Sequence, residues 1–192
     1  MKKQVINPMK ILGLAAFFLI AFNLQAQQKL NLKSDSQEFV VKGTSTLHDW
    51  HMASSEAKGS VSVKMQDNGM IDFTGSEVTL VAESLKSGKK GMDKNAYKAL
   101  LTDEHPNIKF VLTNCNMQSA SSGKATGKLT IAGNSREVIF EIEVEKVGNG
   151  FSIKGTTDFR LTDFQIEPPT ALMGTIKTGD DVTVEFNATF QN

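Results

Sequence analysis

One cluster in this sequence combines residue types that could do chemistry, the segment Thr46–His51, which reads Thr-Leu-His-Asp-Trp-His. Two histidines three residues apart, with an aspartate between them, are ligand types that a transition metal accepts. A closed metal site needs a third or fourth ligand, and His105 is the only other histidine. We therefore expect no metal and no cofactor, and we interpret the segment as the end of a strand. In that interpretation His48 and Asp49 bond to backbone groups, and Trp50 packs as a lid.

No nucleophile motif accompanies this cluster, because the sequence has neither a Gly-x-Ser-x-Gly elbow nor a phosphate-binding glycine loop. Asp158 and Asp163 have a spacing that fits paired carboxylates. Acids at strand ends are usually solvated, however, and Arg160 lies between them as a partner for one of them. The sequence leaves one enzymatic alternative open, in which His48, Asp49 and Arg160 do acid–base chemistry on a small lipophilic substrate.

Alternating hydrophobicity predicts the strands that must position these residues. In the segment 127–145, apolar residues take every second place on both sides of a Gly-Asn-Ser turn, and glutamates fill the gaps after the turn. A period of two predicts a long hairpin with one solvated face and one buried face. Similar patterns predict further strands within 37–44, 58–66, 70–83, 107–114, 151–159 and 181–190, with a turn at 67–69. Long strands joined by short turns favour a barrel over a sandwich.

One segment interrupts this alternation. Apolar residues recur at helical spacing between Met92 and Leu101, which predicts one amphipathic helix with Asp93 in its first turn. We expect His105-Pro106 to stop the helix, because a residue before proline avoids the helical region. The predicted fold is therefore all-β, an extended antiparallel barrel of about eight strands with one short helix that caps or plugs an end.

The first 26 residues predict export. Met1–Lys10 carries three lysines and no acid, Ile11–Phe22 is an uninterrupted apolar run, and Ala26 is a small residue at the expected cleavage site. The 12-residue run is shorter than the roughly 20 residues that span a bilayer, so we expect no stable membrane span in the mature chain. The expected product is a periplasmic domain of residues 27–192.

Net charge and cysteine content limit the classes of partner and of covalent link that we expect. The chain carries 21 basic and 21 acidic residues. Removing the three lysines of residues 1–26 leaves 18 against 21, a net charge of about −3. That balance does not favour nucleic acid as a partner. Cys115 is the only cysteine, which excludes an intramolecular disulfide, and we interpret it as a buried or half-buried small residue. The sequence leaves a homodimer open.

Four segments resemble, in sequence order, the YceI-like family of secreted, lipocalin-like polyisoprenoid-binding proteins. They are GTSTLHDW at 43–50, HPNIKF at 105–110, GKLTIAG at 127–133 and FRLTDFQI at 159–166. The first is similar to the opening motif of the Bacteroidota-type branch of the family. His105 stands where many members have tyrosine, and Gln165 stands where many have glycine. These departures concern the bound molecule more than the fold.

The resemblance implies a non-enzymatic periplasmic binding or carrier protein that holds an isoprenoid-type lipid or similar amphiphile in an apolar cavity. An eight-stranded barrel is about wide enough for one such ligand. The expected ligand-binding residues are the inward-facing Phe39, Phe110, Phe140, Ile142, Phe151, Val184 and Phe186, with Trp50, Phe164 and Met173 near an opening. Besides the enzyme, a stress-related structural protein with no ligand remains an alternative.

Overall fold

The computed structural model describes residues 27–66 and 69–192. The order of elements is β1 (Gln28–Ser45), β2 (Trp50–Ser54), β3 (Ala57–Met65), β4 (Ile71–Val81), α1 (Lys90–Ala99), β5 (Asn107–Met117), β6 (Ser122–Ile131), β7 (Asn134–Val147), β8 (Gly150–Arg160), β9 (Thr170–Ala171) and β10 (Ile176–Gln191). The predicted signal peptide and the first two residues of the turn predicted at 67–69 lie outside the described residues. In the part of the chain that is described, no helix is long and apolar enough to cross a membrane.

Eight strands close into an antiparallel barrel, which confirms the predicted fold class. The order around the barrel is β1-β3-β4-β5-β6-β7-β8-β10, and β10 pairs back with β1. Strands β2 and β3 each pair with one part of β1 and act as a single interrupted strand. Gln37 bridges the interruption, because its side-chain amide donates to the Ala57 carbonyl at 3.0 Å and its Oε1 accepts from the Ala57 N–H at 2.9 Å.

Antiparallel connectivity gives the barrel two different ends. One end carries the far ends of β3 and β4 and the short connections at 118–121 and 148–149. The other end carries the β1–β2 turn at 46–49, helix α1 between β4 and β5, and the segment 161–175 that leads into β10. We call the first the closed end and the second the open end. The segment predicted to be irregular contains a 3-10 turn at Leu161–Phe164 and the short strand β9.

The hairpin predicted from alternation is formed by β6 and β7. The apolar residues at even positions of β7 are buried, namely Val138, Phe140, Ile142 and Val144. Ile139, which breaks the pattern, is 51% exposed on the outer face. The two-residue loop is Ala132-Gly133 rather than Gly-Asn-Ser, and both residues have a left-handed backbone, with φ of 47° and 76°. Positive φ at both central residues matches the right-handed twist of the flanking strands.

Helix α1 forms as predicted, but it begins and ends two residues earlier than expected. Asp93 lies in its first turn and accepts hydrogen bonds from the backbone N–H and the hydroxyl of Ser87, at 2.8 and 2.6 Å. These bonds hold the pKa of the Asp93 carboxyl below its usual value. The helix ends because Leu101 takes a left-handed conformation, with φ of 52°. His105-Pro106 is therefore not the stop signal, and it marks the entry to β5 instead.

Candidate functional site: an apolar cavity open at one end

A cavity of about 1020 Å³ occupies the barrel interior. Inward-facing residues of all eight barrel strands form its wall, and residues of the β1–β2 turn, helix α1 and the segment 161–175 form its rim. The volume lies at the upper end of the roughly 300–1,000 Å³ that is typical of ligand pockets. Because strand residues alternate between two faces, the same pattern that makes the barrel also makes the wall apolar.

The closed end is packed. Several buried apolar residues at that end belong to the core and lie outside the cavity lining, namely Leu30, Val63, Ile71, Val144 and Phe151. The ring of Phe151 meets that of Phe73 edge to face, with 6.3 Å between the centroids. The interior is therefore a blind tube that opens where α1 and the long connections lie.

Four phenylalanine rings from adjacent parts of the sheet form a continuous aromatic wall. Phe39 and Phe186 face each other in the β1–β10 register, and their rings stack at 6.0 Å. Phe186 meets Phe140 at 5.4 Å, and Phe140 meets Phe110 at 5.5 Å, both edge to face. Such pairs contribute about 0.5–1.5 kcal/mol each beyond the area that they bury. The wall is therefore ordered by its own contacts before any ligand enters.

Glycines on neighbouring strands make room for these rings. A Cβ on Gly155 would overlap the ring of Phe186, and a Cβ on Gly127 would overlap the ring of Phe110. Each ring lies against the backbone of the next strand instead of across the barrel axis. The glycines thus keep the interior open, which is one use of glycine inside strands.

Trp50 lies on the rim, where β2 begins. Its indole covers Gly43, whose Cβ would overlap the ring, and its Nε1 donates to the Thr44 carbonyl at 2.8 Å. The same indole lines the cavity. Trp50 therefore packs at a strand end beside the opening, and its role as a lid or plug stays a prediction.

The two histidines of the Thr46–His51 segment point in different directions. The ring Nδ1 of His48 lies 2.7 Å from the backbone carbonyl of Asp49, and His48 lines the rim. His51 is exposed, one residue from inward-facing Trp50, and is therefore on the outer face. Nowhere in residues 27–66 and 69–192 do three His, Cys, Asp or Glu side chains come close enough to hold a metal.

The acidic pair considered from sequence lies away from the cavity. Arg160 Nη2 donates to Asp163 Oδ1 at 2.8 Å, and this contact lowers the pKa of the Asp163 carboxyl. Asp158 accepts a hydrogen bond of 2.5 Å from Thr183. None of the three ionisable residues lines the cavity, whereas His48 does. The structure therefore does not place Arg160 and His48 in one site.

Eight of the ten expected ligand-site residues line the cavity: Phe39, Trp50, Phe110, Phe140, Ile142, Met173, Val184 and Phe186. The other two need correction as to their position. Phe151 lies below the cavity floor, as described above. Phe164 is fully buried in the 3-10 turn after β8 and packs on Phe159, with 4.9 Å between ring centroids, so it is a core residue rather than part of the opening.

Several lining residues were not among those predicted from the sequence. Val78, Leu80 and Leu129 face the cavity from β4 and β6, and strand parity alone could have identified them. Met92 and Ala96 line it from α1, and the sequence held no signal for which side of the barrel end the helix would cover.

Cys115 also lines the cavity and is half-buried, as predicted. Burial raises the pKa of its thiol to about 11, with a smaller contribution from the nearby charge of Asp72. A thiol with such a pKa is almost entirely protonated at neutral pH and is a poor nucleophile. Its place on the wall makes it a reporter of occupancy rather than a reactive centre.

Apart from the Cys115 thiol, the ionisable side chains that line the cavity are Lys89, Lys94 and His48, and these three belong to the rim. Among the described residues, no carboxylate lines the cavity. Charge in the lining is therefore confined to the open end, where Lys89 and Lys94 make it positive. The deeper wall is apolar apart from the hydroxyl group of Ser76 and the thiol of Cys115.

Together these features define a closed, lipocalin-like antiparallel barrel whose apolar interior opens at one end. The sequence profile of the YceI-like domain matches residues 21–190. The chain belongs to the YceI-like family. Its assignment to the Bacteroidota-type branch stays a prediction.

Solved structures share the fold. Burkholderia cenocepacia BcnA has a TM-score of 0.66 and 17% identity, over 82% of this chain and 98% of that one. A polyisoprenoid binding domain from Saccharophagus degradans, implicated in plant cell wall breakdown, has a TM-score of 0.59 and 10% identity, over 86% and 99%. The Campylobacter jejuni YCEI protein has a TM-score of 0.53 and 17% identity, over 70% and 82%. No curated protein matches the sequence.

Proposed function

We propose that this protein is a periplasmic carrier that encloses one isoprenoid-type lipid in its barrel. The observation that carries the proposal is the blind apolar cavity of about 1020 Å³ with charge only at its rim. Location in the periplasm rests on the predicted signal peptide. Binding without catalysis is the function that this arrangement serves best.

The dimensions of the cavity suit a long tail. Its lining extends along β10 from Thr178 at the open end to Phe190 near the closed end. Twelve residue steps at about 3.3 Å, on strands tilted by about 40°, correspond to about 30 Å along the barrel axis. A narrow tube of that depth favours an extended or gently folded chain over a compact ligand. Burial of apolar tail surface at about 25 cal/mol per Å² is the driving term.

The comparisons support the choice of an isoprenoid over other apolar chains. The family is YceI-like, and the Saccharophagus degradans domain of the same fold is described as polyisoprenoid binding. The aromatic wall of Phe39, Phe110, Phe140 and Phe186 presents an irregular surface that a methyl-branched chain can fill. The polar end of the lipid would remain at the rim near Lys89 and Lys94, where hydration is retained.

A titration that follows Trp50 tests the proposal. Trp50 is the only tryptophan and lines the rim, so its fluorescence reports binding at the site alone. We expect saturable binding of one prenol per chain, with affinity rising from geraniol to farnesol to geranylgeraniol. Hexadecanol serves as the unbranched comparison. Fluorescence that does not respond to any of the prenols would contradict the proposal.

A matched pair of variants locates the tail. Ala125 is buried on the deep wall, so Ala125→Phe fills the inner part of the tube, whereas Thr126→Phe adds the same bulk on the outer face. We expect Ala125→Phe to retain geraniol and to lose most of its affinity for geranylgeraniol, while Thr126→Phe binds both as the unaltered protein does. Unchanged binding of geranylgeraniol by folded Ala125→Phe would show that the tail does not enter the deep cavity.

A further inference from the structure

An exposed apolar group surrounds part of the open end. Leu47 is 64% exposed, Leu172 is 72% exposed and Met173 is fully exposed, and all three line the cavity rim. Of the exposed large hydrophobic residues in the described chain, these three line the cavity, and the others lie outside its lining. We call these three residues the lip.

The lip is built into one unit from two separate turns. Thr46 in the β1–β2 turn donates from its N–H to the Lys177 carbonyl at 3.0 Å, and its hydroxyl accepts from the Lys177 N–H at 3.1 Å. These bonds join the turn that carries Leu47 to the connection that carries Leu172 and Met173. Apolar side chains on both turns are therefore held at the same part of the rim.

The backbone that presents Leu172 and Met173 is strained. Both residues have a left-handed conformation, with φ of 46° and 56°, and Gly174 follows with φ of 87°. Two consecutive non-glycine residues in this region are uncommon, and such strain persists where surrounding structure holds it for a purpose. Here the strain turns two large apolar side chains outward into water instead of inward onto the barrel.

Lysines accompany the lip around the rim. Lys94 lines the cavity from helix α1 and Lys89 from the position just before it, and Lys90 and Lys177 are exposed on the same end. Exposed acids of this end include Asp49, Asp103, Glu104 and Glu167, but no carboxylate contributes to the described part of the lining, where the lysines lie. Exposed apolar tips beside cationic side chains match the interface of a bilayer that contains anionic lipid.

From the lip and these lysines, we propose that the open end of the barrel docks onto an anionic lipid bilayer. The lip inserts among the acyl chains, and Lys89, Lys90 and Lys94 contact anionic headgroups. The cavity then faces the membrane directly, so that a lipid passes between bilayer and barrel without crossing water. This docking goes beyond the proposed cargo, because it requires no isoprenoid.

Vesicle flotation with the exported protein tests the docking. The probes are phosphatidylcholine vesicles and phosphatidylcholine vesicles that contain phosphatidylglycerol, both free of isoprenoid. We expect binding to the anionic vesicles and its release at high salt, because screening weakens the lysine contacts. The double variant Leu172→Ser, Met173→Ser should lower the partition coefficient by about tenfold or more, the loss expected when two apolar side chains no longer insert.

Control variants remove the same types of side chain, one apolar and one cationic, from positions away from the rim. Ile139→Ser removes an apolar side chain that is 51% exposed on β7, and Lys128→Ala removes an exposed lysine from β6. Both should float like the unaltered protein, whereas Lys89→Ala with Lys94→Ala should lose about 30-fold, which is the loss of about 2 kcal/mol from two lysines near the surface. Circular dichroism confirms that each variant is folded.

Three results would overturn the docking proposal. They are failure of the unaltered protein to float with anionic vesicles, an equal loss in Ile139→Ser, and a dimer by light scattering that the double lip variant converts to a monomer. The last result would make the lip an interface between two copies. If Trp50 fluorescence does not respond to prenols but the protein still binds vesicles, the isoprenoid proposal is contradicted and the docking proposal stands. If prenols bind but vesicles do not, the docking proposal is contradicted and the isoprenoid proposal stands.

Discussion

Replacing Phe186 with alanine separates a cavity wall from a solid core. Phe186 stacks on Phe39, meets Phe140 edge to face and covers Gly155, but one side of it faces the cavity. Phe164 is the matched residue, because it is fully buried and does not line the cavity. The two substitutions remove the same atoms from the same barrel.

The expected magnitudes follow from these surroundings. Phe164→Ala leaves a closed void and should cost about 3–5 kcal/mol of unfolding free energy. Phe186→Ala loses two aromatic pairs, about 1–3 kcal/mol in total, and only enlarges a space that already exists. We therefore expect it to cost about 2 kcal/mol. Glu185→Ala, on the outer face beside Lys42, should stay within about 0.5 kcal/mol.

Thermal unfolding and prenol titration measure the two effects separately. For a chain of this size, each kcal/mol lowers Tm by about 2–4 °C. Phe164→Ala should have the lower Tm but bind geranylgeraniol normally while it is folded, and Phe186→Ala should have the higher Tm of the two and the weaker binding. Equal destabilisation by both, with prenol affinity unchanged in Phe186→Ala, would refute the distinction. A larger loss of stability in Glu185→Ala than in Phe186→Ala would show that the assignment of inner and outer faces on β10 is inverted.

Three further outcomes are expected. Alkylation of Cys115 by N-ethylmaleimide should be slow at pH 8, accelerate as the pH rises toward its pKa of about 11, and be blocked by geranylgeraniol; rapid labelling at pH 7 would contradict the burial. Because Ser87 lowers the pKa of Asp93, its contribution to stability is present above the ordinary pKa and is lost as the pH falls through the lowered value, so Tm of Asp93→Ala should differ most from that of the unaltered protein near pH 7 and converge with it in strong acid. Intact mass of the exported protein should place its first residue at Gln27, and a species that retains residues 17–22 would make that segment an anchor.

Much of the barrel could be predicted because strand alternation is a local signal. Val138, Phe140 and Ile142 take every second place in the sequence, and each faces inward in the structure. The same rule places Glu185 outside and Phe186 inside, in agreement with the salt bridge of Glu185 to Lys42 and the ring contact of Phe186 with Phe140. This alternation can be predicted from sequence because it depends only on the geometry of an extended backbone.

The position of each inward-facing side chain along the barrel axis could not be predicted from alternation. Phe151 and Phe140 both face inward, but Phe151 lies near the start of β8 at the closed end. Only the stagger of neighbouring strands decides which inward-facing residue lines the cavity. The side of the barrel end that α1 covers likewise depends on contacts between distant segments. The left-handed residues Leu101, Leu172 and Met173 gave no signal either, since leucine and methionine rarely adopt that conformation.

Mass spectrometry of a gentle organic extract tests the central claim most directly, when the protein is purified from its native host. The barrel has room for one lipid tail in its cavity of about 1020 Å³. We predict one recurrent prenyl-chain species, present in about equimolar amount with the protein and released when the protein unfolds. A clean extract, or a mixture that only mirrors the bulk membrane lipids, would contradict the account of this protein as an isoprenoid carrier.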